Sequence, residues 1–298
     1  MPNSIRVVHH SNSKDALRRT RHDRPTLVQS MDLITVFAII CLLIVAVAFS
    51  PLGLGGGILY VPIMHYMLDW EIKEALVASL TLVLMVSLGS SLAHSKSGFA
   101  DHKIANWGRM AAVPSAIIGT LLSGVLLSLV GDIGIKILAA LVITFVLERT
   151  IRKSVAHTVE FTEEQLLEKR NQYFAGSSSA RIAAGILGIG GGAILVTLNR
   201  SMLKMDAKKA AGTSYLVTAT IVPVALLSHL VINQNLDVIV DHSGIFAMVL
   251  VPLMVFSSAF FGAKYAIKYL PKQVVTGVFL FVVSISLLRY IVDFLTVI

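Results

Sequence analysis

Gly53-Leu54-Gly55-Gly56-Gly57 lies inside an apolar stretch, and the pattern returns 135 residues later as Gly188-Ile189-Gly190-Gly191-Gly192. The same offset also aligns matching residues beyond the two glycine clusters. It pairs Glu71 with Asp206, Lys73 with Lys208, Ala75 with Ala210, Ser79 with Ser214 and His94 with His229. A chain with two related apolar halves is typical of membrane transporters that are built from structural repeats.

The composition is that of a membrane protein. The 298 residues are 55% hydrophobic and only 14% charged, whereas soluble domains carry roughly 25% charged residues. Several apolar runs approach the ~20 residues with which a helix spans the bilayer, so the sequence predicts an all-α polytopic membrane protein. The net charge of +8 lies in the loops and leaves no basic groove for nucleic acid. The single cysteine, Cys41, excludes an intrachain disulfide.

The basic residues predict the topology. Five regions hold 22 of the 25 Lys and Arg residues, namely 1–31, 94–109, 149–181, 200–209 and 264–272. The positive-inside rule puts all five on the cytoplasmic side. One arrangement achieves this. Segment 32–50 crosses outward, 51–68 re-enters, and 75–93, 109–130 and 133–148 cross. Segment 182–199 then re-enters from the inside, and 210–232, 243–263 and 273–296 cross to leave the C-terminus outside.

This arrangement predicts two inverted-topology repeats preceded by one extra helix. Each repeat is a glycine-rich re-entrant or broken segment plus three transmembrane helices, and because three is odd the second repeat is inverted. A plain count of eight helices, in which 182–199 crosses fully, is the rival, and it puts 200–209 outside. The predicted organisation is a basic cytoplasmic extension (1–31), repeat 1 with its leading helix (32–148), a cytoplasmic linker (149–181) and repeat 2 (182–298). In the linker, Thr162 and Gln165 have capping-box spacing and predict a short solvated helix over Thr162–Tyr173.

The glycine clusters are the candidate substrate site. Irregular backbone at membrane depth is tolerated only in a cavity or buried in protein. If each cluster precedes a short helix (58–68 and 193–199), its amides lie at a helix N-terminus, which attracts anions. Two such sites would bind a small anion without a cationic side chain; the alternative is close packing of helices through small residues. The predicted binding residues are Gly53, Gly55, Gly56, Gly57, Gly188, Gly190, Gly191 and Gly192, together with the hydroxyls of Ser79, Thr213 and Ser214.

Two polar stripes accompany the clusters. Ser79, Ser87, Ser90 and His94 share a helix face in the first half, as do Ser214, Thr218 and His229 in the second. Hydroxyls on such faces bind anion oxygens or form interhelical hydrogen bonds. The two histidines titrate near neutrality, so we consider them for proton coupling, with an interfacial location as the alternative. The sequence shows no catalytic constellation, phosphate-binding loop or acidic metal cluster. It therefore predicts neither an enzyme nor a cofactor or metal site.

Three stretches resemble the TauE/SafE sulfite exporter family, also called the toluene-sulfonate uptake permeases, over about residues 34–296. They are Pro51–Leu59 with Pro62, Gly185–Ala193, and Leu92-Ala93-His94 before Gly98. The second copy departs from the first in having Thr197 where the first has Pro62. The resemblance implies secondary transport of small sulfur anions such as sulfite, thiosulfate or organosulfonates (sulfoacetate-like) across the prokaryotic inner membrane. An anion channel and a non-transporting membrane scaffold or sensor remain the alternatives, and a homodimer is left open.

Overall fold

The computed structural model describes residues 33–154, 161–233 and 236–297, so the predicted extension 1–31 lies outside the described residues. Within these ranges the chain is helical, without strands, which confirms the predicted all-α class. The helices are α1 (Leu33–Phe49), α2 (Gly57–Met67), α3 (Ile72–Lys96), α4 (His102–Ser154), α5 (Glu163–Glu168), α6 (Arg170–Leu187), α7 (Gly192–Ser201), α8 (Ala207–Asn233), α9 (Leu236–Tyr269) and α10 (Lys272–Val297).

Two of these elements are each made of two helices joined at a glycine. In α4 the backbone leaves helical geometry at Gly131, where φ is 66°, and in α9 it does so at Gly244, where φ is 71°. Glycine adopts such left-handed angles without a steric penalty. The junction at Gly131 agrees with the predicted boundary between segments 109–130 and 133–148.

Several helices meet the requirements of a membrane span. In the described residues Ile72–Lys96, Ala207–Val231 and Ala247–Tyr269 are long and apolar enough to cross a membrane. A fourth candidate is the pair His102–Met110 and Pro114–Leu126, which bends by 48°. Large apolar side chains also face outward, among them Leu129, Leu141, Leu253, Phe261 and Leu295. Exposed apolar faces of this extent suit contact with lipid.

Each half contains a helix that is broken at its glycine cluster. In the first half α1 ends at Phe49 and the short helix α2 begins at Gly57; in the second α6 ends at Leu187 and α7 begins at Gly192. The predicted short helices are therefore present. In each half a left-handed residue follows the short helix, Asp69 at φ 54° and Lys204 at φ 52°. These positions are 135 residues apart, so the two halves repeat the same turn.

The stretch 149–181 contains two helical segments. The capping box is confirmed at the start of α5, where the Thr162 amide donates to Oε1 of Gln165 over 3.0 Å. This short helix has no buried residue. The next helix, α6, begins at Arg170 and continues without interruption to Leu187. Its first two-thirds therefore lie in residues that the sequence analysis assigned to the linker.

Helices α3 and α8 pack antiparallel in the middle of the molecule. Near the end of α3 the ring of His94 lies 5.8 Å from the ring of Tyr215, which is near the start of α8. At the opposite end of the pair, Val77 and Ala78 of α3 line one groove together with Leu226 and Leu230 of α8. The two helices occupy equivalent positions in the two halves, so equivalent elements run in opposite directions.

Candidate anion-binding site

Both glycine clusters form left-handed turns that lead into a helix. Gly56 caps α2 with φ at 85°, and Gly191 caps α7 with φ at 75°. Gly53, Gly55, Gly188 and Gly190 also have positive φ. L-residues with a side chain rarely adopt this region, which explains why both turns are rich in glycine. The first amides of α2 and α7 have no acceptor within their own helix, as at any helix start.

The serines that align in the two halves make reciprocal hydrogen bonds. Ser79 of the first half donates from Oγ to the carbonyl of Gly188 in the second, over 3.1 Å. Ser214 of the second half donates to the carbonyl of Gly53 in the first, over 3.2 Å, and lies 3.0 Å from that of Gly192. Gly53 and Gly188 are themselves 135 residues apart. The same bond is thus made twice, once in each direction.

The last glycine of each cluster packs against the backbone of the other cluster. A Cβ atom on Gly57 would lie 2.5 Å from Cα of Ile189, and one on Gly192 would lie 2.7 Å from the Gly53 carbonyl oxygen. Real Cβ atoms do not approach other atoms so closely. Gly57 and Gly192 therefore allow the two clusters to touch, which is the packing role considered for these glycines in the sequence analysis.

Thr213 and Tyr215 fasten neighbouring backbone from the start of α8. The Thr213 hydroxyl accepts a hydrogen bond from the Asp101 amide over 2.9 Å. The Tyr215 hydroxyl donates to the Phe49 carbonyl over 2.7 Å and accepts from the Gly55 amide over 3.4 Å. Tyr215 thereby joins the end of α1 to the first glycine turn. The sequence analysis did not single out Tyr215, although it follows Ser214 directly.

Both candidate histidines are fully buried rather than interfacial. His94 Nδ1 lies 2.9 Å from the Ser90 carbonyl, so it must be the protonated nitrogen, and Nε2 has no hydrogen-bond partner in the described part of the chain. His229 Nε2 lies 3.0 Å from the Gly185 carbonyl. The two imidazoles belong to different ends of the α3 and α8 pair, and the structure does not bring them together.

A buried arginine lies beside the second glycine cluster. The Arg181 side chain, on α6, is 1% exposed. A Cβ atom on Gly191, the cap of α7, would lie 3.5 Å from Arg181 Cδ and 3.7 Å from Nε. Sequence reasoning counted Arg181 with the basic linker because its neighbours are polar. The signal that could have found it is the spacing of Tyr173, Ser177 and Arg181, which puts three polar residues on one helix face.

These features define a helical, multi-pass membrane protein with two broken helices meeting at its centre, which is the architecture of a membrane transporter. The model of the family "Sulfite exporter TauE/SafE" matches residues 38–290, nearly the whole chain. The chain therefore belongs to the sulfite exporter TauE/SafE family and is a transporter of the sulfite-exporter type. No curated protein and no solved structure matches it significantly.

Proposed function

We propose that the protein is a secondary transporter that moves small sulfur-containing anions, such as sulfite, thiosulfate or organosulfonates, across the inner membrane by alternating access. The observation that carries this proposal is the reciprocal pair of hydrogen bonds, from Ser79 to Gly188 and from Ser214 to Gly53. They lock two broken helices together at one point, where small relative movements of the two halves would open a path to either side.

The direction of the helices supports two inverted repeats. Equivalent helices that touch across an axis normal to the membrane run parallel, whereas an axis in the membrane plane makes them antiparallel. The contacts of His94 with Tyr215 and of Val77 with Leu226 make α3 and α8 antiparallel. We assign repeat 1 to 32–148 and repeat 2 to 182–298, with 1–31 and 149–181 on the cytoplasmic side.

Anion binding follows from the glycine turns. The amides of Gly55–Gly57 and Gly190–Gly192 lie at the starts of α2 and α7, where the helix dipole is positive. An inside-negative potential expels an anion without a coupling ion, whereas import requires one. His94, buried with Nε2 unpartnered in the described residues, is the better placed of the two histidines to carry a coupling proton.

The test is transport by the purified full-length chain in proteoliposomes. We expect radiolabelled sulfite or thiosulfate to enter vesicles faster when unlabelled anion is present inside, because exchange is a property of carriers. Empty liposomes and chloride in place of the sulfur anion are the controls. Uptake that is insensitive to internal anion would favour the channel. Absence of uptake for every sulfur anion tested would overturn the proposal in favour of a scaffold or sensor.

A further inference from the structure

We propose that Arg181 and the N-terminus of α7 together form the binding site for an oxyanion, so that the anion binds asymmetrically, at the second glycine cluster. This inference rests on the proposed transport function and names the group that holds the substrate. It differs from the expectation of a site without a cationic side chain.

Arg181 is a buried cation whose partners are missing from the described part of the protein. None of its guanidinium nitrogens Nε, Nη1 and Nη2 has a hydrogen-bond partner there. It also takes no part in the ion pairs found there, which join Lys103 to Glu163, Arg152 to Glu148 and Lys209 to Asp101. An isolated buried charge is strongly unfavourable. The protein therefore gains if an anion neutralises this one.

The position of Arg181 strengthens this demand. Its side chain lies against Gly191, the cap of the ten-residue helix α7, where the helix dipole is positive. Two positive groups next to each other repel, unless something negative lies between them. An anion at this point would accept hydrogen bonds from the guanidinium and from the free amides at the start of α7.

A second unpartnered donor is close by. Tyr173 is two turns before Arg181 on α6, is fully buried and lies within electrostatic range of the guanidinium. Its hydroxyl also has no hydrogen-bond partner in the described residues. A phenol that donates to the anion would complete a site made of a fork of N–H groups, backbone amides and one O–H group.

The first half of the chain lacks this arrangement. The residue 135 positions before Arg181 is Ala46, which is buried and uncharged. The cap glycine of α2, Gly56, is covered instead by the ring of Tyr60, 2.8 Å from where a Cβ atom would be. The site is thus specific to the second half, and the repeat symmetry that shapes the backbone does not extend to the charge.

The chemistry selects an oxyanion over a halide. Guanidinium presents paired N–H groups in a plane, which match two oxygens of a sulfite, thiosulfate or sulfonate group, whereas chloride accepts as a single point. Because Arg181 is 1% exposed, the anion reaches it only when the helices separate, as alternating access provides. A lipid headgroup is excluded as the occupant because Arg181 does not face the outside of the bundle.

The test compares Arg181→Gln and Arg181→Lys with Arg170→Gln in the full-length protein. Arg170→Gln removes the same charge from an exposed position at the start of the same helix. We expect Arg181→Gln to weaken sulfite or thiosulfate by about tenfold or more, since charge-assisted hydrogen bonds are the strong ones. Arg181→Lys should retain part of the affinity, and Arg170→Gln all of it. Affinity is measured from thermal shifts of the purified protein and KM from proteoliposome uptake.

Thermal unfolding without any anion separates a binding role from a structural one. An arginine that has no partner burdens the empty protein, so Arg181→Gln should leave its Tm unchanged or raise it. A lowered Tm in anion-free buffer, or equal anion affinity in wild type and Arg181→Gln, would overturn the inference. So would the absence of stabilisation by any of sulfite, thiosulfate, phosphate and chloride.

The two proposals fail in different ways. If sulfite transport persists in Arg181→Gln with an unchanged KM, the proposed function stands and the binding site is elsewhere. If phosphate stabilises the wild type, sulfur anions do not, and Arg181→Gln abolishes the effect, then the oxyanion site stands and the proposed substrate class is wrong.

Discussion

Ser79 and Ser214 each have one hydroxyl proton, and in this structure it is directed at a glycine carbonyl of the opposite half. The protons are therefore engaged in holding the two glycine turns together. A donor role toward the anion, which the sequence analysis predicts for both serines, requires a conformation in which these bonds open. The same bonds could then serve as a latch that is released during transport.

Substituting these serines tests the latch. We expect Ser79→Ala to lower stability by about 1–3 kcal/mol, because the buried Gly188 carbonyl loses its partner. Ser214→Ala should cost at least as much, since its oxygen lies within hydrogen-bond distance of two carbonyls. The measurement is thermal unfolding in detergent. Ser228→Ala is the matched control, because Ser228 bonds only to Val224 of its own helix. A Tm for the first two variants that is no lower than that of the control would show that the reciprocal bonds do not contribute.

At the scale of elements, the contact between the two glycine clusters depends on two atoms being absent. Gly57→Ala would place a Cβ atom 2.5 Å from the backbone of Ile189, and Gly192→Ala would place one 2.7 Å from the Gly53 oxygen. Neither neighbour is a flexible side-chain end, so the helices must shift. We expect both variants to lose most transport and to unfold at lower temperature.

The control for these glycines lies in α4. A Cβ atom on Gly124 meets nothing within 4 Å, and alanine is favoured over glycine in a helix by about 0.8–1 kcal/mol. Gly124→Ala should therefore leave stability equal or slightly higher and leave proteoliposome uptake unchanged. Normal uptake by Gly57→Ala and Gly192→Ala would mean that the clusters separate more freely than the structure indicates.

The attachment of α5 to α4 should depend on pH in a defined way. Lys103 hydrogen-bonds to Glu163 and holds the pKa of that carboxyl below its ordinary value of 4.5. Because the folded pKa is depressed, the ion pair is complete above 4.5 and is lost only as the pH falls through the lower folded value. Hydrogen exchange of the α5 amides, corrected for intrinsic rates, should show constant protection from neutral pH down past 4.5. Lys103→Gln should reduce this protection at neutral pH, and fraying of wild-type α5 above 4.5 would contradict the prediction.

The sequence predicted the breaks in the helices more reliably than it predicted the site. Glycine clusters such as Gly188–Gly192 announce left-handed turns by composition alone, and Thr162 with Gln165 announces a capping box through local spacing. The burial of Arg181 has no such local signal, because hydropathy assigns a charged residue in a polar stretch to a loop. The reciprocal bonds of Ser79 and Ser214 could not be predicted either, since each depends on a contact between residues more than a hundred positions apart.

At the scale of the whole molecule, the two halves share backbone geometry but differ in charge. Asp69 and Lys204 have the same left-handed turn at equivalent positions, whereas Ala46 and Arg181 differ completely at theirs. A shared scaffold gives a transporter two related states, one open to each side. A site in only one half would let a single anion bind near the centre without a competing second site.

The inverted arrangement makes a prediction about the side of the membrane on which each turn lies. In a Cys41→Ala background, Asp69→Cys should react with a membrane-impermeant maleimide from outside intact cells, and Lys204→Cys only after permeabilisation. The reason is that an axis in the membrane plane exchanges the two faces, so equivalent turns lie on opposite sides. Ser97→Cys is the control, because both the re-entrant topology and the eight-helix count place it inside. Labelling of Asp69→Cys and Lys204→Cys from the same side would favour the eight-helix count, in which 182–199 crosses fully, and would remove the geometric basis for alternating access between inverted halves.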